Sequence, residues 1–67
     1  MPVAKVTEIT ASSPESFKDA VEQGIQRASK TLDEVKGAWV NEMKVEVDGG
    51  KIVAYRVNMK VTFILKD

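Results

Sequence analysis

The sequence predicts an α+β domain in the order β–α–β–β. Three observations carry this reading. From residue 51 to residue 66 the apolar side chains fall on every second position: Val53, Tyr55, Val57, Met59, Val61, Phe63 and Leu65. The positions between them, Ala54, Arg56, Asn58, Lys60 and Thr62, are mostly polar, and alternation of this length marks a strand with one buried face. Upstream, Phe17, Ala20, Val21, Gly24, Ile25, Ala28 and Leu32 recur at helical spacing, a narrow apolar stripe on one side of a helix. Asp48-Gly49-Gly50 separates the last two strands, and glycines that accept positive φ suit a tight hairpin turn.

Each element follows from its own residues. Residues 4–10 form a short first strand rich in β-branched side chains, with Val6 and Ile9 as its apolar anchors. Ser13-Pro14-Glu15 reads as a helix start: serine caps, proline suits the first helical position, and glutamate favours the positive end of the dipole. The small residues of the stripe, Gly24 and the alanines, let the helix lie close to a sheet. Lys18, Asp19, Glu22, Gln26 and Lys30 make its solvated face. Gly37 ends the connection from the helix, and a second strand runs over residues 38–47. Strict alternation there places Trp39, Asn41, Met43, Val45 and Val47 on one face and Ala38, Val40, Glu42, Lys44 and Glu46 on the other. Neither face is cleanly polar, which suits a strand lying between its own helix and a neighbouring subunit. The helix is expected over the Val53/Tyr55/Val57 face of the last strand.

That last strand is long for its domain. At about 3.3 Å per residue it spans roughly 50 Å, whereas a chain of 67 residues has a radius of gyration of about 11 Å. An overhanging apolar face needs a partner, and a second copy of the chain is the expected one. Residues 1–67 make one domain, and domains this small are marginal alone. The chain has no cysteine and no histidine, which excludes disulfide stapling and Cys/His metal sites. Oligomerisation is the remaining staple.

Composition narrows function further. Ten basic and ten acidic residues cancel, and no basic cluster of the kind that binds nucleic acid or membrane surfaces is present. No apolar run approaches the roughly 20 residues of a membrane span, and residues 1–6 lack the pattern of a secretion signal. A soluble cytoplasmic protein is expected. No nucleophile–base pair and no phosphate-cradling glycine motif are present, so no enzyme activity and no catalytic residue are expected.

Three residues invite a functional reading. Trp39, the one tryptophan, is either a packing residue at a subunit interface, where aromatics are enriched, or a stacking platform for a flat ligand. Arg56 either pairs with Glu42, Glu46 or a neighbouring subunit, or aims its planar donor fork at a ligand carbonyl or phosphate; it can also stack on Trp39. Glu46 and Asp48 flank the turn. Calcium wants six to eight oxygens, and one chain offers too few in a row, so an ion site would need several copies to converge.

The chain resembles the dodecins. The resemblance rests on Lys5-Val6, on Ser12-Ser13-Pro14-Glu15-Ser16, and on Ala28-Ser29-Lys30-Thr31-Leu32. The hairpin and Tyr55-Arg56-Val57 followed by Lys60-Val61-Thr62-Phe63 complete it. It implies a three-stranded antiparallel sheet partly wrapping one helix, and a hollow homododecamer of tetrahedral symmetry. It also implies a storage protein that binds flavin, as riboflavin or FMN, stacked between tryptophans and gripped by a glutamine. In an ungapped match the stacking tryptophan falls on Gly37, the glutamine falls on Arg56, and a phosphate-meeting basic residue falls on Lys44. Trp39 lies two residues beyond Gly37, about 7 Å along a strand. The expected flavin site is therefore Trp39, Arg56, Lys44 and Gly37. Dodecins of the calcium-associated type also carry arginine in the Tyr-Arg motif, so calcium is the alternative ligand, with no metal-binding residue assigned.

Overall fold

The computed structural model describes residues 3–65. Its elements are β1 (Val3–Ser13), α1 (Phe17–Thr31), β2 (Val35–Asp48) and β3 (Lys51–Leu65). The sheet is antiparallel with strand order β1-β3-β2, so the most strongly alternating strand lies in the middle. Lys66, the last residue of the alternating run, lies outside the described residues. Gly49 and Gly50 take φ values of 57° and 80° in the β2–β3 turn, the left-handed region that favours glycine.

The core forms between α1 and one face of β3. Val57, Met59 and Val61 are fully buried and Phe63 nearly so. Ile9 and Ala11 of β1 and Phe17, Val21 and Ile25 of α1 pack around them. Burying each such side chain contributes about 1.5–3 kcal/mol. The small stripe residues work as expected: Ala20, Gly24 and Ala28 are the buried positions of α1. A Cβ added at Gly24 would meet Met59 Cε at 2.7 Å and Ala11 Cβ at 3.0 Å, so the helix lies as near the sheet as glycine permits. The helix sits further along β3 than expected. Tyr55 is reached edge-on by Phe17, with ring centroids 5.1 Å apart, but Val53 remains 51% exposed towards the hairpin tip.

The helix start is displaced by one short turn. Ser16, not Ser13, is the cap, accepting from the Asp19 N–H at 2.9 Å, and Pro14 precedes the helix rather than opening it. Ser13 ends β1 instead. It is buried, accepts from the Glu15 N–H at 2.9 Å and donates to Asp19 Oδ2 at 2.6 Å. Asp19 also accepts from Gln23 Nε2 at 2.6 Å, so this acid ties the strand end to the first turn rather than simply facing solvent.

The second strand also departs from strict alternation. It begins at Val35, so Gly37 lies within β2 and not in the connection. The chain turns instead at Glu34, whose φ is 47° and whose carbonyl accepts from the Ile64 N–H at 3.1 Å. Register shifts between Val40 and Glu42 and between Glu46 and Val47 interrupt the β2–β3 ladder. A bulge reverses which side chains share a face. Glu42, Lys44 and Glu46 therefore pair opposite Asn58, Arg56 and Ala54 on the side away from the helix, while Met43 and Val45 pair opposite Val57 and Tyr55 on the helix side. Trp39 consequently shares a face with Lys44 and not with Met43.

The described chain is elongated, with extents of 52 × 19 × 13 Å and a radius of gyration of 13.7 Å. Its hairpin projects beyond the helix, as the length of the last strand requires. No described helix is long and apolar enough to cross a membrane.

Candidate functional site

The sheet face away from α1 gathers all four expected site residues. Alternate residues of β3 point there because their neighbours are buried against the helix, and residues directly opposite across strands share a face. The face reads in rows from one end to the other. Val6, Thr62 and Gly37 form one row; Glu8, Lys60 and Trp39 the next. Thr10, Asn58 and Glu42 follow, then Ser12, Arg56 and Lys44. Asn58 knits its row together: it accepts from Asn41 Nδ2 and donates to Thr10 Oγ1, both at 3.2 Å.

The face has two ends with different chemistry. At one end Trp39 is 72% exposed. Gly37, two residues away on the same face, carries no side chain, and nothing lies within 4 Å of where its Cβ would stand. Trp39, Gly37, Ala38, Lys36 and Thr62 line a shallow recess. The indole therefore stands beside a bare backbone shelf, with its ring open to an approaching planar group.

At the other end Arg56 Nη2 meets Glu46 Oε1 at 3.2 Å, each side chain roughly two-fifths exposed. Of the two carboxylates expected for it, the guanidinium takes Glu46, which draws it towards the hairpin tip and away from Trp39. Lys44 lies directly across from Arg56. Like charges in opposed positions repel, and Glu46 offsets that. Along β3 the Arg56–Lys44 row lies four residues from the Trp39–Lys60 row, about 13 Å. The structure thus joins Gly37 to Trp39 and Arg56 to Lys44, and keeps the two pairs apart within one chain.

Sequence reasoning missed Lys60, the cation directly across from Trp39. Counting back from the Asp48–Lys51 pair at the turn points to it. The bulge at Asn41 on β2 and the one at Val53 on β3 cancel, so the simple count holds at Trp39 although it fails between the bulges. Among the described residues no group of three or more acidic side chains converges to hold a metal ion.

A family model described as dodecin matches residues 3–66. The chain belongs to the dodecin family. It is 33% identical over 66 residues to the calcium dodecin of Mycobacterium tuberculosis, covering 98% of this chain and 93% of that protein. Its backbone matches a dodecin from Streptomyces davaonensis with a TM-score of 0.94 and 36% identity, covering 98% and 97% of the two chains. The crystal structure of the Mycobacterium tuberculosis calcium dodecin, described as calcium chelating with a novel calcium-binding site, matches with a TM-score of 0.82 and 37% identity over 96% and 91% of the chains. The dodecin fold thus confirms the β–α–β–β reading and the antiparallel sheet around one helix.

Proposed function

We propose that this dodecin is one subunit of a hollow homododecamer that binds and stores flavin, as riboflavin or FMN, and catalyses no reaction. The observation that carries the reading is Trp39: a large aromatic ring held open at 72% exposure on a rigid strand beside the Gly37 shelf. Indole in that setting favours a flat aromatic partner, and stacking adds about 0.5–1.5 kcal/mol beyond the area it buries. Trp39 stacks the flavin ring. Arg56 and Lys44 meet its polar edge and phosphate from a neighbouring copy, because within one chain they stand too far along the face.

Assembly is supported by the apolar side chains that one chain leaves bare. Val40 and Met43 lie on the helix-side face of β2 at 45% and 56% exposure, and Val47, Ile52 and Val53 are exposed near the hairpin tip. Apolar side chains exposed together in this way favour burial against a second copy. Both outer strands also offer unpaired backbone edges. Sedimentation at micromolar concentration tests assembly: a folded species near 7.4 kDa removes the shell. Titration of riboflavin and FMN with fluorescence detection tests binding. Quenching by the parent and none by Trp39→Ala, with sedimentation unchanged, is the expected result; a parent that quenches neither flavin refutes flavin storage.

A second reading is a structural or calcium-binding dodecamer. Glycine at the stacking position and the Arg56–Glu46 pair favour it, as does similarity to a protein named calcium dodecin. Under this reading calorimetry detects calcium uptake by the parent, and Gly37→Trp combined with Arg56→Gln creates flavin affinity where the parent has none.

A further inference from the structure

Lys44, read above as meeting the phosphate from a neighbouring copy, has a rival for that role on the chain that carries the ring. Lys44 stands in the Arg56 row, about 13 Å along the sheet from Trp39. Lys60 stands directly across from Trp39, where Cβ atoms of opposed residues lie about 4.5–5.5 Å apart. Its flexible four-carbon stem is long enough to bring the ammonium to the edge of the indole. Lys36 lines the recess beside Trp39, which Lys60 flanks from the neighbouring strand, and no acidic residue lines it.

Among the described residues the Lys60 ammonium also has no partner. Arg56–Glu46 is the one ion pair among the described residues, so Glu8, which faces Lys60 from β1, does not hold it. Glu8 and Glu42, in adjoining rows, bring the local charge close to balance. An anion at Trp39 is therefore held by direct contact with the ammonium rather than by a broad positive field.

We infer that Lys60, assisted by Lys36, makes the Trp39 shelf selective for a phosphate-bearing flavin over its neutral counterpart. This rests on the flavin reading above. FMN is riboflavin with a terminal phosphate, so the two ligands share every stacking contact and differ only in the group that Lys60 would meet. A charge-assisted hydrogen bond of ordinary strength corresponds to roughly tenfold in affinity.

The test is a set of titrations of riboflavin and FMN into the assembled protein at low and moderate salt. The parent, Lys60→Gln, Lys44→Gln and Lys18→Gln are compared, the last removing the same charge from the solvated face of α1. The parent should bind FMN about tenfold tighter than riboflavin, and the ratio should narrow with salt. Lys60→Gln should bring the ratio close to one while leaving riboflavin affinity within about twofold, and Lys18→Gln should retain the parent's ratio. Equal affinities in the parent, or a ratio that survives Lys60→Gln, overturn the inference and leave flavin storage standing. A ratio abolished by Lys44→Gln and retained by Lys60→Gln also overturns it. A parent that binds neither flavin removes both readings together.

Discussion

Alanine at Gly24 and alanine at Gly37 should move stability in opposite directions. Glycine in a helix interior costs about 0.8–1 kcal/mol relative to alanine, so propensity alone favours Gly24→Ala. The new methyl, however, arrives 2.7 Å from Met59 Cε and 3.0 Å from Ala11 Cβ. Met59 is a flexible side chain, but it is fully buried, so moving its end disturbs the residues packed around it. Ala11 has no rotamer to change, so that contact yields only if helix and strand separate. Overpacking of this kind costs about 1–3 kcal/mol, which leaves Gly24→Ala destabilising by about 1 kcal/mol after the propensity gain. At Gly37 the added methyl meets nothing within 4 Å. There alanine removes unfolded-state freedom without a clash and should stabilise by about 0.4–1 kcal/mol. For a domain of this size the two variants should melt about 6–16 °C apart, on either side of the parent. Circular dichroism melts at matched protein concentration measure the difference, since association makes the midpoint concentration-dependent. A Gly24→Ala variant melting at or above the parent would show that the helix–sheet approach is looser than the atoms indicate, and would refute the argument.

Three further outcomes follow from named contacts. Met59→Ala deletes the largest fully buried side chain and should cost about 2–5 kcal/mol, enough to leave much of the protein unfolded in a urea titration. Ser16→Ala removes the oxygen that caps α1 and should cost about 1 kcal/mol, whereas Ser13→Ala should cost more, because it strips partners from both Glu15 N–H and Asp19 inside a buried corner; guanidinium melts rank the two. Arg56→Gln breaks an ion pair whose members are two-fifths exposed and should change stability by under about 1 kcal/mol, so any larger fall in the melting midpoint would mean that Arg56 is buried against another copy.

Much of the fold was legible because one physical constraint dominated each element. The β3 alternation survives because that strand is central and its odd positions from Val57 to Phe63 are buried. The Gly49-Gly50 turn is legible because its backbone requires positive φ. The stripe of α1 is legible because small residues permit close approach. What was hidden depends on choices that composition does not resolve. Ser13 and Ser16 are both capable caps, and the buried bond from Ser13 to Asp19 decides between them. Val53 belongs to the apolar run, yet the helix stops short of it. The face assignment of Glu42, Lys44 and Glu46 failed because a bulge at Asn41 carries no glycine to announce it. Counted back from the turn, the pairing at Trp39 still reads correctly, because the Asn41 bulge cancels the shift at Val53. Of the four expected site residues, Trp39, Lys44 and Arg56 fall on the expected strands and Gly37 falls within β2 rather than before it; their grouping into two distant pairs depends on register, and Lys60 emerges only from pairing.

The central position of β3 bears on how the protein matures. Every fully buried apolar side chain of the sheet, Val57, Met59 and Val61, belongs to the strand synthesised last, and β1 and β2 have their pairing partners there and not in each other. While the nascent chain is still emerging, β1 and β2 have no strand with which to pair. Productive folding must therefore wait until β3 has cleared the ribosome exit tunnel, and a premature stop anywhere within it would release an apolar fragment for degradation rather than a partly working subunit.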